Sequence, residues 1–504
     1  VFQERIACQK LMQKIILPEQ AAEMIKDGMT IGVSGFTLAG YPKAITLALA
    51  KKIKNTGENI KVNIFSGASV GEEVDGALAE VGAIARRAPY QTNAKLRNSL
   101  NTPGEIEYTD QHLGLFASMC RKGCYGSIDL AIIEACAITK EGNIIPSTSV
   151  GNVPTYVKMA KKVLIELNLE QPIVLAGMHD IYTPEDPPNQ KPIPLTSSSQ
   201  RIGTTYIPCE PEKIAGIVIT SIPDGTRDFA PIDENAKAMA GNIIDFLHNE
   251  VAQGRLTKSL LPLQSGVGSI ANAVLAGLKE SDFENLDFFS EVIQDSVFDL
   301  IDVGKFKAVS GTALTPSVKG VRQFQANAEL YRKVIVLRPQ EISNHPELIY
   351  RLGVIAMNTA IEADIFGNIN STHIMGTKMM NGIGGSGDFA HNASISIFMT
   401  PSTAKDGEIS CIVPMCSHVD HTEHDVSVIV TERGIADLRN TSPRERAKII
   451  IKNCAHPDYQ DMLRDYYERA LKANPPGKCH TPHIMSEALS WHARFNKTGS
   501  MKIK

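Results

Sequence analysis

Several short stretches carry residue types that could do covalent or charge-stabilising chemistry. In NLDFFSEVIQDSVFDLIDVGK, residues 285 to 290 read as a short apolar strand, and Val292, Phe298, Leu300 and Ile301 recur at roughly helical spacing after it. Glu291 is therefore expected at a strand-to-helix junction, where open α/β sheets bind ligands and a helix start tolerates negative charge. A carboxylate there can be a base, a metal ligand or a nucleophile, or it can simply cap the helix. QSGVGSIANAV, from Gln264 to Val274, is a glycine-bracketed turn into a helix, and its unpaired N–H groups can face an oxyanion or a phosphate. NGIGGSGDFA fits G-x-G-x-x-G through Gly382, Gly384 and Gly387. A dinucleotide fingerprint needs a strand directly before it, however, and THIMGTKMMN is a poor strand. What remains is a loop whose backbone can approach a ligand closely and present N–H groups to developing charge. SHVDHTEHD contains His418, Asp420, His421, Glu423, His424 and Asp425 without a recognised set of zinc-ligand spacings. It reads as a polar structural or interface segment; a metal-dependent hydrolase built on His418, His421 and His424 is the other reading. TERGIADLR reads as a strand end entering a helix, with Glu432 as a further carboxylate or an ion-pair partner.

The elements that must hold these residues alternate along the chain. MTIGVSGF reads as a strand, PKAITLALAKKI as a helix with Pro42 near its first turn, KVNIFSGAS as a strand and GEEVDGALAEVGAIARR as helical. This rhythm indicates βαβ units and a largely parallel sheet. The region 90 to 125 has weak periodicity and reads as an excursion over the sheet, while the Pro-rich segment 171 to 208 reads as a functional or interface loop. Pro223, Asp224 and Gly225 mark a break, giving expected domains at 1–225 and 226–504. The second half echoes the first. Ser34-Gly35-Phe36 returns as Ser265-Gly266-Val267, Phe65-Ser66-Gly67 as Phe289-Ser290-Glu291, and Ile133-Glu134-Ala135 as Ile361-Glu362-Ala363. The pattern predicts two similar open α/β domains related by internal duplication, with an active site in the cleft between them. Only the second carries the carboxylate, since Gly67 stands where its counterpart has Glu291.

Composition narrows the function classes. With 51 basic and 55 acidic residues, a net charge of −4 and 43% hydrophobic residues, the chain is an ordinary globular one of two or three domains. That balance and a single Trp argue against nucleic acid as a partner. No run approaches the roughly 18 apolar residues that span a bilayer, so no membrane association is expected. Nine scattered cysteines fit a reducing compartment, and Cys120 and Cys124 read as ordinary thiols.

Taken in order, GFTLAGYPK, LQSGVGSIANAV, SEVIQD, ISNHPE, MNGIGGSGDFA, HVDH, TERGIADLR, CAHPDY and EALSWH resemble the acetyl-CoA hydrolase/transferase branch of the class I coenzyme A transferases. The resemblance covers nearly the whole chain. It implies transfer of CoA between an acyl-CoA and a carboxylate, of the succinyl-CoA and acetate kind, by a ping-pong mechanism. Residue by residue, Glu291 matches the nucleophile that becomes a glutamyl-CoA thioester, and Val267 and Gly385 match the oxyanion-hole N–H positions. Gly266, Val267, Gly268, Ser269, Ile270, Asn381, Gly385 and Lys405 match the region contacting CoA. Asn344 matches a residue near the reacting carboxylate, and Arg227 and Glu432 match an active-site polar pair. Coenzyme A is then a substrate, no metal or redox cofactor is required, and the partners are acyl-CoA and short-chain carboxylates. Relatives imply a homodimer, and the expected location is cytoplasmic, or an organelle if an N-terminal leader is removed. An acyl-CoA hydrolase using the same Glu is the nearest alternative; a non-catalytic CoA-binding protein is the alternative from another class.

Overall fold

The computed structural model describes residues 2–227 and 231–503. The chain forms two compact α/β units, Val1–Asp228 with Asp287–Leu352, and Phe229–Leu286 with Gly353–Lys504. In the first, parallel strands run in the order Glu107–Tyr108, Ile84–Ala88, Val62–Phe65, Thr30–Val33, Leu130–Ile138, Lys162–Asn168 and Ile214–Thr220. Leu130–Ile138 is buried along its whole length, as a central parallel strand covered on both faces must be. The helix Ala44–Thr56 begins two residues after Pro42 and stops at Gly57, whose positive φ of 71° ends the helix without a Cβ penalty. Its buried face, including Ile45, Leu49 and Ile53, joins Ile31, Ile64 and Leu130 in one core.

Three local expectations are corrected here. The segment read as continuous helix through Arg87 ends its helical part at Glu80, and Ile84–Ala88 is a strand, because Ile84 and the buried Arg87–Asp75 ion pair draw it into the sheet. Residues 90 to 125 are not an excursion: they supply two helices, Ala94–Leu100 and Leu113–Arg121, and the edge strand Glu107–Tyr108. The helix expected directly after Glu291 begins only at Asp295, since Val292–Ile293 first pairs with Ala313–Leu314 as a short parallel ladder.

The expected division at 225/226 does not coincide with the compact units, because residues 287–352 belong with the first. Val150 N–H donates to Thr312 O at 2.9 Å and Gln340 N–H to Gly151 O at 2.9 Å. Arg121 bridges Asp186 and Glu341, each at 2.8 Å, and the fully buried Arg338 pairs with Asp180. Asp180 and Asp186 lie in the Pro-rich segment, which thereby straps residues 287–352 onto the N-terminal sheet.

In the second unit, Leu263–Ser265, Ile355–Thr359, Ile395–Met399 and Val428–Thr431 are parallel, with Gly434–Asp437 antiparallel at the edge. The core there includes Phe366, Ile412, Ile429, Tyr459 and Trp491. No helix among the described residues is long and apolar enough to cross a membrane.

The repeat seen in the sequence is structural. The strands 30–33, 62–65, 84–88, 107–108, 130–138, 162–168 and 214–220 have counterparts in the same chain order at 263–265, 286–289, 306–311, 335–337, 355–359, 395–399 and 428–431. Pairings repeat too: 30–33 with 130–138 matches 263–265 with 355–359, and 130–138 with 162–168 matches 355–359 with 395–399. Each copy carries a hairpin turned by a glycine at positive φ, Gly142 at 94° and Gly367 at 98°. Each also buries a glutamate bonded to a side-chain nitrogen, Glu134 to Lys43 Nζ and Glu362 to His492 Nε2.

Candidate active site

Glu291 follows the strand Leu286–Phe289, whose apolar residues anchor it in the core. Its carbonyl accepts from Thr312 N–H at 2.7 Å and Ala313 N–H at 3.1 Å. Close approach of the next strand is permitted by Gly311, where a Cβ would lie 3.0 Å from the Ile293 side chain and 3.2 Å from Glu291 O. The backbone that carries the carboxylate is therefore fixed by a two-donor clamp. The residue is 9% exposed, and Oε1 accepts from Asn344 Nδ2 at 2.8 Å.

Asn344 is itself positioned by several bonds. It ends the short helix Gln340–Ser343, and its N–H donates to Gln340 O at 2.9 Å. Gln340 is held by Gly151 O through its backbone and by Leu113 O through Nε2, at 2.9 and 3.0 Å. Beside it, Glu341 is buried and bonded to Arg121; burial raises its pKa while the guanidinium opposes the rise. A carboxylate on a rigid backbone, oriented through one oxygen by a buried amide, is a suitable nucleophile for an acyl carbon. The duplicate position cannot host one. A Cβ on Gly67 would fall 2.5 Å from Gly35 O, so that copy is closed by its own backbone.

In the second unit the glycine-bracketed turn begins with Gly266 N–H donating to Met357 O at 3.2 Å. Val267 is 50% exposed, which is unusual for a valine, and Gly268 at φ 123° opens the helix Ser269–Glu280 without any side-chain cap. Ser269 and Ile270 form its half-buried first turn, so a helix N-terminus with outward N–H groups is offered to an anionic ligand. The second glycine loop follows a two-residue hairpin, His373–Ile374 with Lys378–Met379, rather than a parallel strand, in agreement with rejection of the dinucleotide reading. Half-buried Asn381 starts that loop, Gly384 turns it at φ 59°, and Gly385 opens the helix Ser386–Asn392. Lys405 occupies a tight exposed turn at φ 52°.

Glu432 is not at a helix entry. It sits in the two-residue turn of the hairpin Val428–Thr431/Gly434–Asp437, because Gly434 lets the chain reverse. Its carboxylate accepts from Ser402 N–H at 2.8 Å and from the Ser402 hydroxyl. Arg227 is exposed and donates to Thr92 Oγ1 at 3.1 Å, in the first unit. Within that unit, then, Glu291 and Asn344 are directly bonded, whereas Arg227 is engaged with Thr92. The clamp residues Thr312 and Ala313, and Ser402 beneath Glu432, were not singled out in the sequence; Ser310-Gly311-Thr312, a small-residue run after an apolar strand, was the available signal.

The histidine-rich segment does not form the three-histidine set. His421 Nε2 lies 3.1 Å from Ser386 Oγ, His424 Nδ1 lies 3.5 Å from Thr422 Oγ1, and His418 Nε2 lies 3.2 Å from Asp420 Oδ1. Among the described residues the cysteines are all free thiols.

Residues 3–219 match the acetyl-CoA hydrolase/transferase N-terminal domain and residues 320–467 its C-terminal domain. The chain is 54% identical to a succinyl-CoA:acetate CoA-transferase of Clostridium kluyveri, covering 100% of this chain and 93% of the relative. It is 43% identical to an acetyl-CoA hydrolase of Neurospora crassa, covering 99% and 98%. The crystal structure of RipA from Yersinia pestis shares the fold, with a TM-score of 0.70 at 21% identity over 91% of this chain and 98% of that one.

Proposed function

The chain belongs to the acetyl-CoA hydrolase/transferase family, and from that premise we propose that it moves CoA between succinyl-CoA and acetate through a glutamyl-CoA thioester. The reading rests on one observation: a buried carboxylate, Glu291, on a clamped backbone and bonded to Asn344 at 2.8 Å. A transferase must conserve thioester energy, and a carboxylate nucleophile does so by forming an anhydride. Glu291 Oε attacks the thioester carbonyl of succinyl-CoA, and collapse expels CoA thiolate to leave a succinyl-glutamyl anhydride. The thiolate then attacks Cδ of Glu291, releasing succinate and leaving glutamyl-CoA. Acetate attacks the same carbon and displaces the thiolate, which takes the acetyl group from the new anhydride and restores the Glu291 carboxylate.

Each step passes through a tetrahedral oxyanion, and the Val267 and Gly385 N–H groups are assigned to hold it. One such donor is worth about 3 to 4 kcal/mol of barrier. Gly266 to Ile270, Asn381 and Lys405 are assigned to the CoA moiety, whose remote binding energy can position the thioester. Arg227 and Glu432 are assigned as an active-site polar pair, and two such chains are expected to work as a homodimer. The test is intact-protein mass after incubation with acetyl-CoA and borohydride, with peptide mapping and a panel of acetate, succinate, propionate and butyrate as acceptors. Modification of Glu291 with acceptor-dependent exchange is the expected result. Identity to fungal acetyl-CoA hydrolases keeps hydrolysis as the second reading. CoA release indifferent to added carboxylate would select it.

A further inference from the structure

Apart from the transfer chemistry, His373, His418 and Asp420 each offer one ligand atom, and these atoms all lie within 4.8 Å of one another. They come from separate segments, the hairpin His373–Ile374/Lys378–Met379 and the turn that follows Ser417. The surrounding bonds fix both the tautomer and the free atoms. Thr372 Oγ1 stands 2.8 and 2.9 Å from the two Asp420 oxygens and 2.7 Å from His373 Nδ1. A hydroxyl has one proton, which goes to the carboxylate, so Oγ1 must accept from His373 Nδ1–H. That tautomer puts the lone pair of His373 on Nε2, the state of a metal-ligating imidazole whose other nitrogen is bonded to a supporting group. Asp420 Oδ2 is bonded by Ser371 N–H at 2.6 Å, and Oδ1 faces His418 Nε2 at 3.2 Å.

Two ligands bound at about 2.0 to 2.1 Å in a tetrahedron sit about 3.3 Å apart. The 3.2 Å separation of His418 Nε2 and Asp420 Oδ1 fits such a ligand edge. The two imidazole rings lie close together, tilted by 37° with their centroids 3.8 Å apart. The His418 side chain is 39% exposed, so the cluster is reached from solvent.

We propose that His373 Nε2, His418 Nε2 and Asp420 Oδ1 bind a borderline divalent cation of the zinc class, in a structural role. The site lies at the base of the second glycine loop. Met380 N–H donates to Thr372 O at 2.8 Å just before Asn381, and His421, next to Asp420, approaches Ser386 Oγ at the start of the following helix. A cation there ties the hairpin to the 417–421 turn and braces the loop from both ends; it takes no part in bond making.

The full-length protein is stripped with chelator, desalted, given one equivalent of zinc chloride and desalted again, and bound zinc is then measured by mass spectrometry. About one zinc per chain is expected to be retained, with a rise in the thermal midpoint and an absorption edge fitted by nitrogen and oxygen ligands at about 2.0 Å. His418→Ala and His373→Ala should each retain close to none, and His424→Ala should retain as much as the unaltered protein. Thr372→Val should weaken zinc binding about 10- to 100-fold by removing the group that orients His373. Circular dichroism checks that each variant is folded. Failure of the unaltered protein to retain zinc overturns the proposal whatever the variants do, and equal retention by folded His418→Ala overturns it as well.

Discussion

The bond from Asn344 to Glu291 is the most exposed point of the mechanism. Asn344→Ala removes a single buried amide whose Nδ2 lies 2.8 Å from the carboxylate oxygen. A hydrogen bond to a charged group contributes about 1.5 to 3 kcal/mol. If that contact orients the nucleophile in the transition state, its loss corresponds to a fall of about 10- to 150-fold in kcat/KM, at 1.4 kcal/mol for each factor of ten. The assay follows acetyl-CoA formation from succinyl-CoA and acetate, with KM for both substrates and a denaturation midpoint recorded in parallel. The decrease should fall on kcat, because Asn344 is assigned to the reacting carboxylate and not to CoA binding. Asn344→Asp extends the test. A second carboxyl at that distance makes the two share a proton and shifts the rising limb of the pH–rate profile upward. A folded Asn344→Ala enzyme within twofold of the unaltered kcat/KM would refute the positioning role.

Four further outcomes are expected. Val267→Pro, which deletes one assigned oxyanion donor at a half-exposed position, should cost about 10²- to 10³-fold in kcat with little change in unfolding midpoint; unchanged kcat removes Val267 from the oxyanion hole. Gly67→Ala should lower stability by at least about 1 to 3 kcal/mol, since its Cβ meets backbone rather than a movable side chain, and a denaturant titration reads it directly. Asp180→Ala leaves Arg338 buried without its counter-charge and should cost about 3 to 5 kcal/mol by the same titration. His179 is wholly buried, and its pKa is lowered to about 4 by desolvation. The unfolded chain therefore binds the extra proton first, so this contribution is complete above about pH 6.5 and is lost as pH falls toward about 4, worth about 3 kcal/mol in all. His179→Gln should flatten that part of the stability–pH curve, and an unaltered slope would show that another group is responsible.

The sequence by itself determined the local alphabet of this protein. Stretches such as MTIGVSGF, PKAITLALAKKI and KVNIFSGAS marked alternating strands and helices, and the echo of Phe65-Ser66-Gly67 in Phe289-Ser290-Glu291 announced a duplicated α/β plan with one carboxylate. These features are legible because periodicity, burial and backbone freedom act over a few residues. The ordered motifs likewise carried the family resemblance, and with it the assignments that the experiments above address.

Tertiary structure decided what depends on distant segments. Asn344 reaches Glu291 across 53 residues of chain, and residues 287–352 join the N-terminal unit through Thr312, Arg338 and Glu341. Glu432 lies in a hairpin turn, where TERGIADLR looked like a helix entry, because pairing of Ile435 with Val430 outweighs the local helical spacing. His373 meets His418 and Asp420 although SHVDHTEHD alone suggested a different trio. The physical reason is common to all four. A side chain's type restricts which bonds it can make, but its partner is chosen by the topology that brings remote backbone together, and no local pattern records that choice.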